Sequence, residues 1–329
     1  MKRLILISSL FISINLIGQN KVNPNLFGFR TSLAFVFFNV EDSSFMNKVE
    51  EISPNVLSFP GGFGNFYHLY GTGYGLKISE IEKYHKESRV KTAKTINKLV
   101  ASKGDSENYI YDFINMVKLT NSKVIYNANI ISSSTSEVLE IIRILIENDV
   151  YLIGVELGGE LSNRSYSHFM NIEKYIDLSK QYTDSIKKSY QEIPIAVVSA
   201  PNNRGSRKLE YWNNQLAKED FYDAIVIHPY AKIVKGKDVA GRMLTVIPEG
   251  VTDAESYEIY KDRAVKYIMS DFKKEINKYN KTFKEKRIWL TEWNLQMSEK
   301  TGNTLLQALF VAHQIIEISS FLSYLKNYT

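Results

Sequence analysis

The chain has 329 residues, a formal charge of +5 and no cysteine. The missing cysteine excludes a disulfide framework, a thiolate metal site and a lipid-anchored lipoprotein. The charge is too small for a dedicated nucleic-acid surface unless it clusters, and its most basic stretch, KKEINKYNKTFKEKR (273–287), is interrupted by acids and spaced as a solvated helix face, so no nucleic-acid partner is expected.

At the start, Lys2 and Arg3 precede LILISSLFISINLIG, a run the length of a signal-peptide core and short for a bilayer span. A leader over 1–18, cleaved after Gly18, is expected; the alternative is an N-terminal anchor. Its removal takes away Lys2 and Arg3, lowers the formal charge from +5 to +3, and leaves one domain over 19–329 with no membrane span. A secreted protein follows, whether periplasmic, cell-surface or extracellular.

Apolar, β-branched runs come next at 28–37, 56–60, 123–130, 151–157, 193–199, 224–230 and 288–293. Segments with helical period separate or follow them, at 109–120, 136–148, 172–190, 257–279 and 304–325. Repeated alternation of this kind implies an α/β fold with parallel strands and helices packed outside them. An open doubly wound sheet and a TIM (β/α)8 barrel both satisfy the count. The barrel is favoured because the chemistry-bearing residues fall at the carboxyl ends of many strands: Gly61 and Gly62, Asn127 and Asn129, Glu160, His228 and Tyr230, and Glu292. Only seven strands are counted, so the expected fold is a barrel truncated before its eighth strand, with a sequence incomplete at the C-terminus. The last helix carries Gln307, His313, Gln314 and Glu317, which would be costly in hydrocarbon, and reads as a barrel helix.

Glu160 closes YLIGVELGGE and Glu292 lies within RIWLTEWN. Two carboxylates brought together from distant strand ends are the minimum equipment for cleaving a glycosidic bond. Period-two alternation places Glu156, Gly158 and Glu160 on one face, and Leu290, Glu292 and Asn294 on another, so both glutamates are expected to point into one mouth. Glu156 reads as a structural carboxylate. Tyr67, His68, Tyr70 and Tyr74 follow the Phe59-Pro60-Gly61-Gly62 turn as candidates to stack on sugar faces, against ordinary packing on the rim. Trp293 is expected under the helices, and Trp212 in a loop able to cover the site. Five histidines without HxH or HExxH spacing give no metal site and no cofactor. A GxSxG elbow is absent, and Gly71–Gly75 lacks the P-loop lysine.

In their order, LSFPGGFGNFYHLYGTGYG, GVELGGELSN, IHPY and LTEWN resemble the clan A retaining glycoside hydrolases, particularly the arabinofuranosidase, β-xylosidase and heparanase-like families. The resemblance runs from about Phe27 to Leu325. It implies a TIM barrel with the acid/base, Glu160, after the fourth strand and the nucleophile, Glu292, after the seventh. It also implies that Tyr230 holds the nucleophile through its hydroxyl, with His228 nearby on the same face. Two positions depart from the family pattern: Gly159 stands where Asn precedes the acid/base, and Ser58 where Arg precedes Phe-Pro-Gly-Gly. Arg30 is the candidate to replace that Arg, and Asn129 or Asn294 to reach the sugar. The expected function is therefore a retaining glycosidase acting on a carbohydrate; the alternative is a carbohydrate-binding or surface-adhesion barrel with impaired catalysis.

Overall fold

The computed structural model describes residues 23–31, 34–102, 108–202, 205–234, 244, 250–296 and 298–324; the expected leader, 1–18, lies outside them. Seven of the apolar runs form parallel strands: β1 (Gly28–Arg30), β2 (Val56–Phe59), β3 (Lys123–Ala128), β4 (Leu152–Leu157), β5 (Ile195–Val198), β6 (Ala224–Ile227) and β7 (Arg287–Leu290). Each pairs with the next in chain order. Burial on both faces explains why these runs read as nearly continuous apolar sequence rather than alternating sequence. On the outer face, Leu57, Phe59, Tyr126, Leu157, Ile225 and Ile227 join the large core shared with the helices. On the inner face, Ala196, Ala224, Val226 and Trp289 form a small cluster with Ile125 and Ile153. Trp289 fits there because β4 carries Gly154, where an added Cβ would stand 2.5 Å from the indole.

The helices follow from capped, striped segments. Thr135–Glu147 starts where the Ser134 hydroxyl accepts from Glu137 N at 3.1 Å, and it buries Val138, Ile141, Ile142 and Leu145 on one stripe. Each such side chain contributes roughly 1.5–3 kcal/mol on burial. Asp253–Lys266 opens with a capping box between Thr252 and Glu255.

The sheet is that of a TIM barrel truncated before its eighth strand: among the described residues β1 and β7 pair with no further strand on their outer edges. Their carboxyl ends nevertheless meet, since Arg30, closing β1, reaches Thr291 O at 3.4 Å just past β7.

Some expected elements differ. The 28–37 run is not one strand: it leaves the sheet at Thr31, whose hydroxyl bonds Ser58 O at 2.9 Å and whose carbonyl accepts from Ala34 N, starting the helix Ala34–Phe37. The 257–279 helix is longer and interrupted by a π-turn at Tyr267–Asp271, then resumes as Phe272–Thr282. Between β2 and β3 the chain builds a strand, Tyr67–Thr72, bridged to Leu76, and the helices Ile78–Tyr84 and Glu87–Ser102. Trp212 is not in a loop: it is buried in the helix Arg207–Leu216, donates to Val198 O at 3.0 Å and stacks on Tyr175.

Candidate active site

Glu292 belongs to a short unpaired span. β7 ends at Leu290, and Asn294–Leu295 then pairs with Tyr230–Ala231, so Thr291, Glu292 and Trp293 are stretched between two ladders. Glu292 Oε1 lies 3.0 Å from Arg30 Nε, and Oε2 accepts the Tyr230 hydroxyl at 2.9 Å. Burial, reinforced by the negative charge of Glu292, pushes the Tyr230 phenol far above its ordinary range, so this hydroxyl keeps its proton and acts only as a donor.

Glu160 is presented by a turn. β4 ends at Leu157; Gly158 follows at φ +82° and Glu160 itself adopts φ +50°. A non-glycine residue there is strained by about 1–3 kcal/mol and persists only when its surroundings dictate it. Asn65 supplies part of that constraint: its Nδ2 donates to Gly159 O at 2.6 Å, its Oδ1 accepts from Gly159 N at 2.8 Å, and Nδ2 also reaches the Tyr166 hydroxyl at 3.1 Å. The Glu160 side chain remains 49 % exposed. His228, only 7 % exposed, lies between the two glutamates, with Nδ1 3.3 Å from Glu160 Oε1 and 3.7 Å from Glu292 Oε2. Its Nε2 meets the Thr291 hydroxyl at 3.1 Å, which suits the tautomer carrying hydrogen on Nδ1.

Strand alternation is not what points the glutamates into the mouth, because both strands end before reaching them. Glu156 is the carboxylate that alternation aims inward. It has no exposure, and its Oε2 takes Arg30 Nη2 at 2.9 Å and Asn127 Nδ2 at 2.6 Å. Leu290 instead packs with the outer core. Arg30 thus joins Glu156 beneath the mouth to Glu292 in it, while Nη1 donates to Gly61 O at 3.1 Å. Ser58, where the resemblance expects Arg, is buried with no hydrogen-bond partner for its hydroxyl among the described residues.

Arg30, Ser58, Gly62, Glu160, His228, Tyr230, Glu292 and Asn294 all line one cavity of about 970 Å³. Asn294 Oδ1 accepts from Gln307 Nε2 at 3.3 Å. Trp293 also faces this cavity while touching the outer core.

Three expected substrate ligands lie elsewhere. Tyr67 is buried edge-on against Phe59, His68 is held by Glu137 at 3.1 Å and Ser132 at 3.1 Å, and Asn129 donates to Tyr67 O at 3.2 Å and to Ser132 at 3.0 Å. Burial is the largest single influence and tends to raise the Glu137 carboxyl, but the hydrogen bond and charge of His68, the Lys77 ammonium and the Leu69 amide together hold the group below its ordinary value. Tyr74 is buried against Tyr109. Tyr67, His68 and Tyr74 therefore pack outside the cavity, and Tyr70 is exposed away from it. Asn65, Arg89 and Tyr166 also line the cavity; Asn65 lies inside the family-like LSFPGGFGNFYHLYGTGYG stretch without a signal of its own, and Arg89 and Tyr166 are single residues in solvated or non-periodic segments.

Glu160, His228 and Glu292 also offer one ligand atom each, all within 4.8 Å of one another, as a metal site would require. Their origin on three different strands hides them from any spacing rule. Arg30 and Tyr230 already supply Glu292 with a cation and a donor, which favours a paired acid and base over a metal centre.

No protein-family model and no curated protein matches the sequence. Solved structures do resemble the fold. A GH51 arabinofuranosidase from Xanthomonas axonopodis pv. citri is similar over 93% of this chain and 66% of its own, at 14% identity and TM-score 0.63. A family 51 α-L-arabinofuranosidase from Bifidobacterium longum is similar over 94% and 66%, at 12% identity and TM-score 0.61. A family 44 xyloglucanase from Paenibacillus polymyxa is similar over 93% and 72%, at 11% identity and TM-score 0.53. The chain thus spans just under two thirds of the two arabinofuranosidases and shares their fold.

Proposed function

We propose that this chain is a secreted retaining glycoside hydrolase acting on polysaccharide or oligosaccharide, with Glu292 as nucleophile and Glu160 as acid and base. The observation that carries the reading is the pair itself: an oxygen of Glu160 and one of Glu292 lie within 4.8 Å. Retaining enzymes hold their carboxyls about 5–5.5 Å apart, whereas inverting enzymes leave about 6.5–9.5 Å for a water. The surroundings divide the labour. Arg30 and Tyr230 stabilise a charged Glu292 for attack on the anomeric carbon, while the solvent-facing Glu160 gives a proton to the leaving oxygen and later takes one from water. His228 bridges the two and holds Glu160 toward the reacting centre. The glycoside hydrolases sharing the fold support the same class of chemistry.

The test is hydrolysis of aryl arabinofuranosides, xylosides, glucosides and glucuronides by the protein beside Glu292→Ala and Glu160→Ala. Turnover lost in Glu292→Ala, and returning in Glu160→Ala with azide, is the expected result; a folded protein inert on every member refutes it. Export is checked by the mass of protein recovered outside cells, where a chain beginning near Gln19 is expected and one retaining Met1 contradicts the leader. One observation favours the second reading, a carbohydrate-binding barrel without turnover. Gly159 offers no side chain where the family pattern has a sugar-binding Asn, and the nearby Asn65 amide is committed to the Gly159 carbonyl.

A further inference from the structure

A second cavity, of about 340 Å³, opens on the other side of Glu160. It shares Glu160 and His228 with the main cavity but does not touch Glu292, so in the proposed mechanism it lies where the departing part of the substrate is held. An apolar floor that includes Val198, Leu209 and Val226 is rimmed by two cations, Arg164 and Lys208, and by the hydroxyls of Ser162, Ser199 and Ser206, and Glu160 is the cavity's sole carboxylate among the described residues. Arg164 is not loosely placed. Asn163 N donates to Glu160 O at 2.8 Å, and the Asn163 side chain caps the short helix Arg164–Tyr166, so the turn that presents the acid also presents the guanidinium.

Several cations on this surface are neutralised locally, as in Lys48–Glu51, Lys94–Glu82, Arg143–Glu147 and Lys180–Glu219. Arg164 and Lys208 have no ion pair and no side-chain hydrogen bond among the described residues. A third exposed cation, Arg89, lines the main cavity and acts through space on Tyr166, on the same flank as Glu160. Unpaired cations gathered around a concave site raise the local concentration of anions, and the guanidinium fork matches a carboxylate in two parallel hydrogen bonds.

We propose that the cavity beyond Glu160 receives the leaving-group portion of the substrate through an anionic substituent on that sugar, a uronate carboxylate or a sulfate ester. This rests on the glycosidase reading. The test is calorimetric titration of Glu292→Gln protein with oligogalacturonides, sulfated galacto-oligosaccharides and neutral xylo-oligosaccharides of equal length, in the Arg164/Lys208 background and in R164Q/K208Q, at low and high salt. Acidic chains should bind at least 10-fold tighter than neutral ones at low salt. The preference should shrink as salt screens the cations and vanish in R164Q/K208Q, which keeps the fold because both side chains are exposed and unpaired. Preference for oligogalacturonides assigns the carboxylate, and preference for the sulfated chains the sulfate. Equal or tighter binding of neutral chains, or an acid preference surviving R164Q/K208Q, overturns the proposal. Wild-type protein that cleaves neutral aryl glycosides and shows no acid preference sinks this inference alone; absence of both cleavage and binding sinks the glycosidase reading with it.

Discussion

Replacing Arg30 by Ala should damage stability and turnover together. The guanidinium is 13 % exposed and joins Glu156, with no exposure, to Glu292. Without it Glu156 keeps one donor, Asn127 Nδ2 at 2.6 Å, and its Oε1 already has no partner among the described residues. Removing one member of a buried pair costs about 3–5 kcal/mol. At roughly 2 °C per kcal/mol for a chain of this size, Tm should fall by roughly 6–10 °C. Adding Glu156→Leu removes the stranded charge and should recover most of the loss. Urea denaturation followed by circular dichroism measures all three proteins. In the same protein, turnover on an active aryl glycoside should fall on the order of 100-fold as Glu292 loses its cation. A penalty below about 1 kcal/mol, or no relief from Glu156→Leu, would refute the reasoning.

Tyr230→Phe removes one donor from Glu292 and should lower kcat about 10-fold with stability changed by less than about 1 kcal/mol; unchanged kcat would dismiss the hydroxyl. Gly64→Ala and Gly159→Ala should differ sharply in urea midpoint. A Cβ at 64 would stand 1.6 Å from Asn127 Oδ1, whose amide is tied to Glu156 and Gly158, and should cost about 2–3 kcal/mol; at 159 nothing is nearer than 3.7 Å, and the change should stay within about 1 kcal/mol. Acid should weaken the fold before carboxylates titrate. Burial lowers the His85 pKa from 6.5 to about 4, so its contribution is complete above 6.5 and lost as pH falls toward 4, about 1–2 kcal/mol once partial exposure is allowed for. Glu137, also depressed, adds a loss below 4.5. Equal stability at pH 7 and pH 4.5, or the same decline in His85→Phe, would contradict this.

The barrel was legible because strands buried on both faces write long apolar runs, and Glu160 and Glu292 because their flanking motifs stand in family-like order. Arg30 was legible as the cation at a strand end facing the site. Other features depend on contacts remote in sequence. GTGYG and its tyrosines have the composition of a sugar-binding loop, but folding back onto Phe59 and Tyr109 buries Tyr67 and Tyr74. Trp289 enters the barrel interior because Gly154 on β4, a strand not adjacent to β7 in the sheet, leaves room for the indole, a contact that no local pattern reveals. The 28–37 run reads as one strand because its apolar residues do not reveal that Thr31 turns away to bond Ser58 O. Asn65 lies inside a family-like stretch, but its use appears only when β4 and the loop after β2 are brought together.

The two glutamates are held in place by different means. Glu292 is fastened at both ends by main-chain ladders, at Leu290 and at Asn294, whose hydrogen bonds no side-chain substitution removes. Glu160 lies on a left-handed turn secured in large part by one amide side chain, that of Asn65. Its geometry is therefore the heritable weak point: one codon change at position 65 can loosen Glu160 while Glu292 stays aligned. Under the proposed mechanism, a lineage moving between cleaving a glycan and merely holding it would need to cross only that narrow step, and could cross back by the same route.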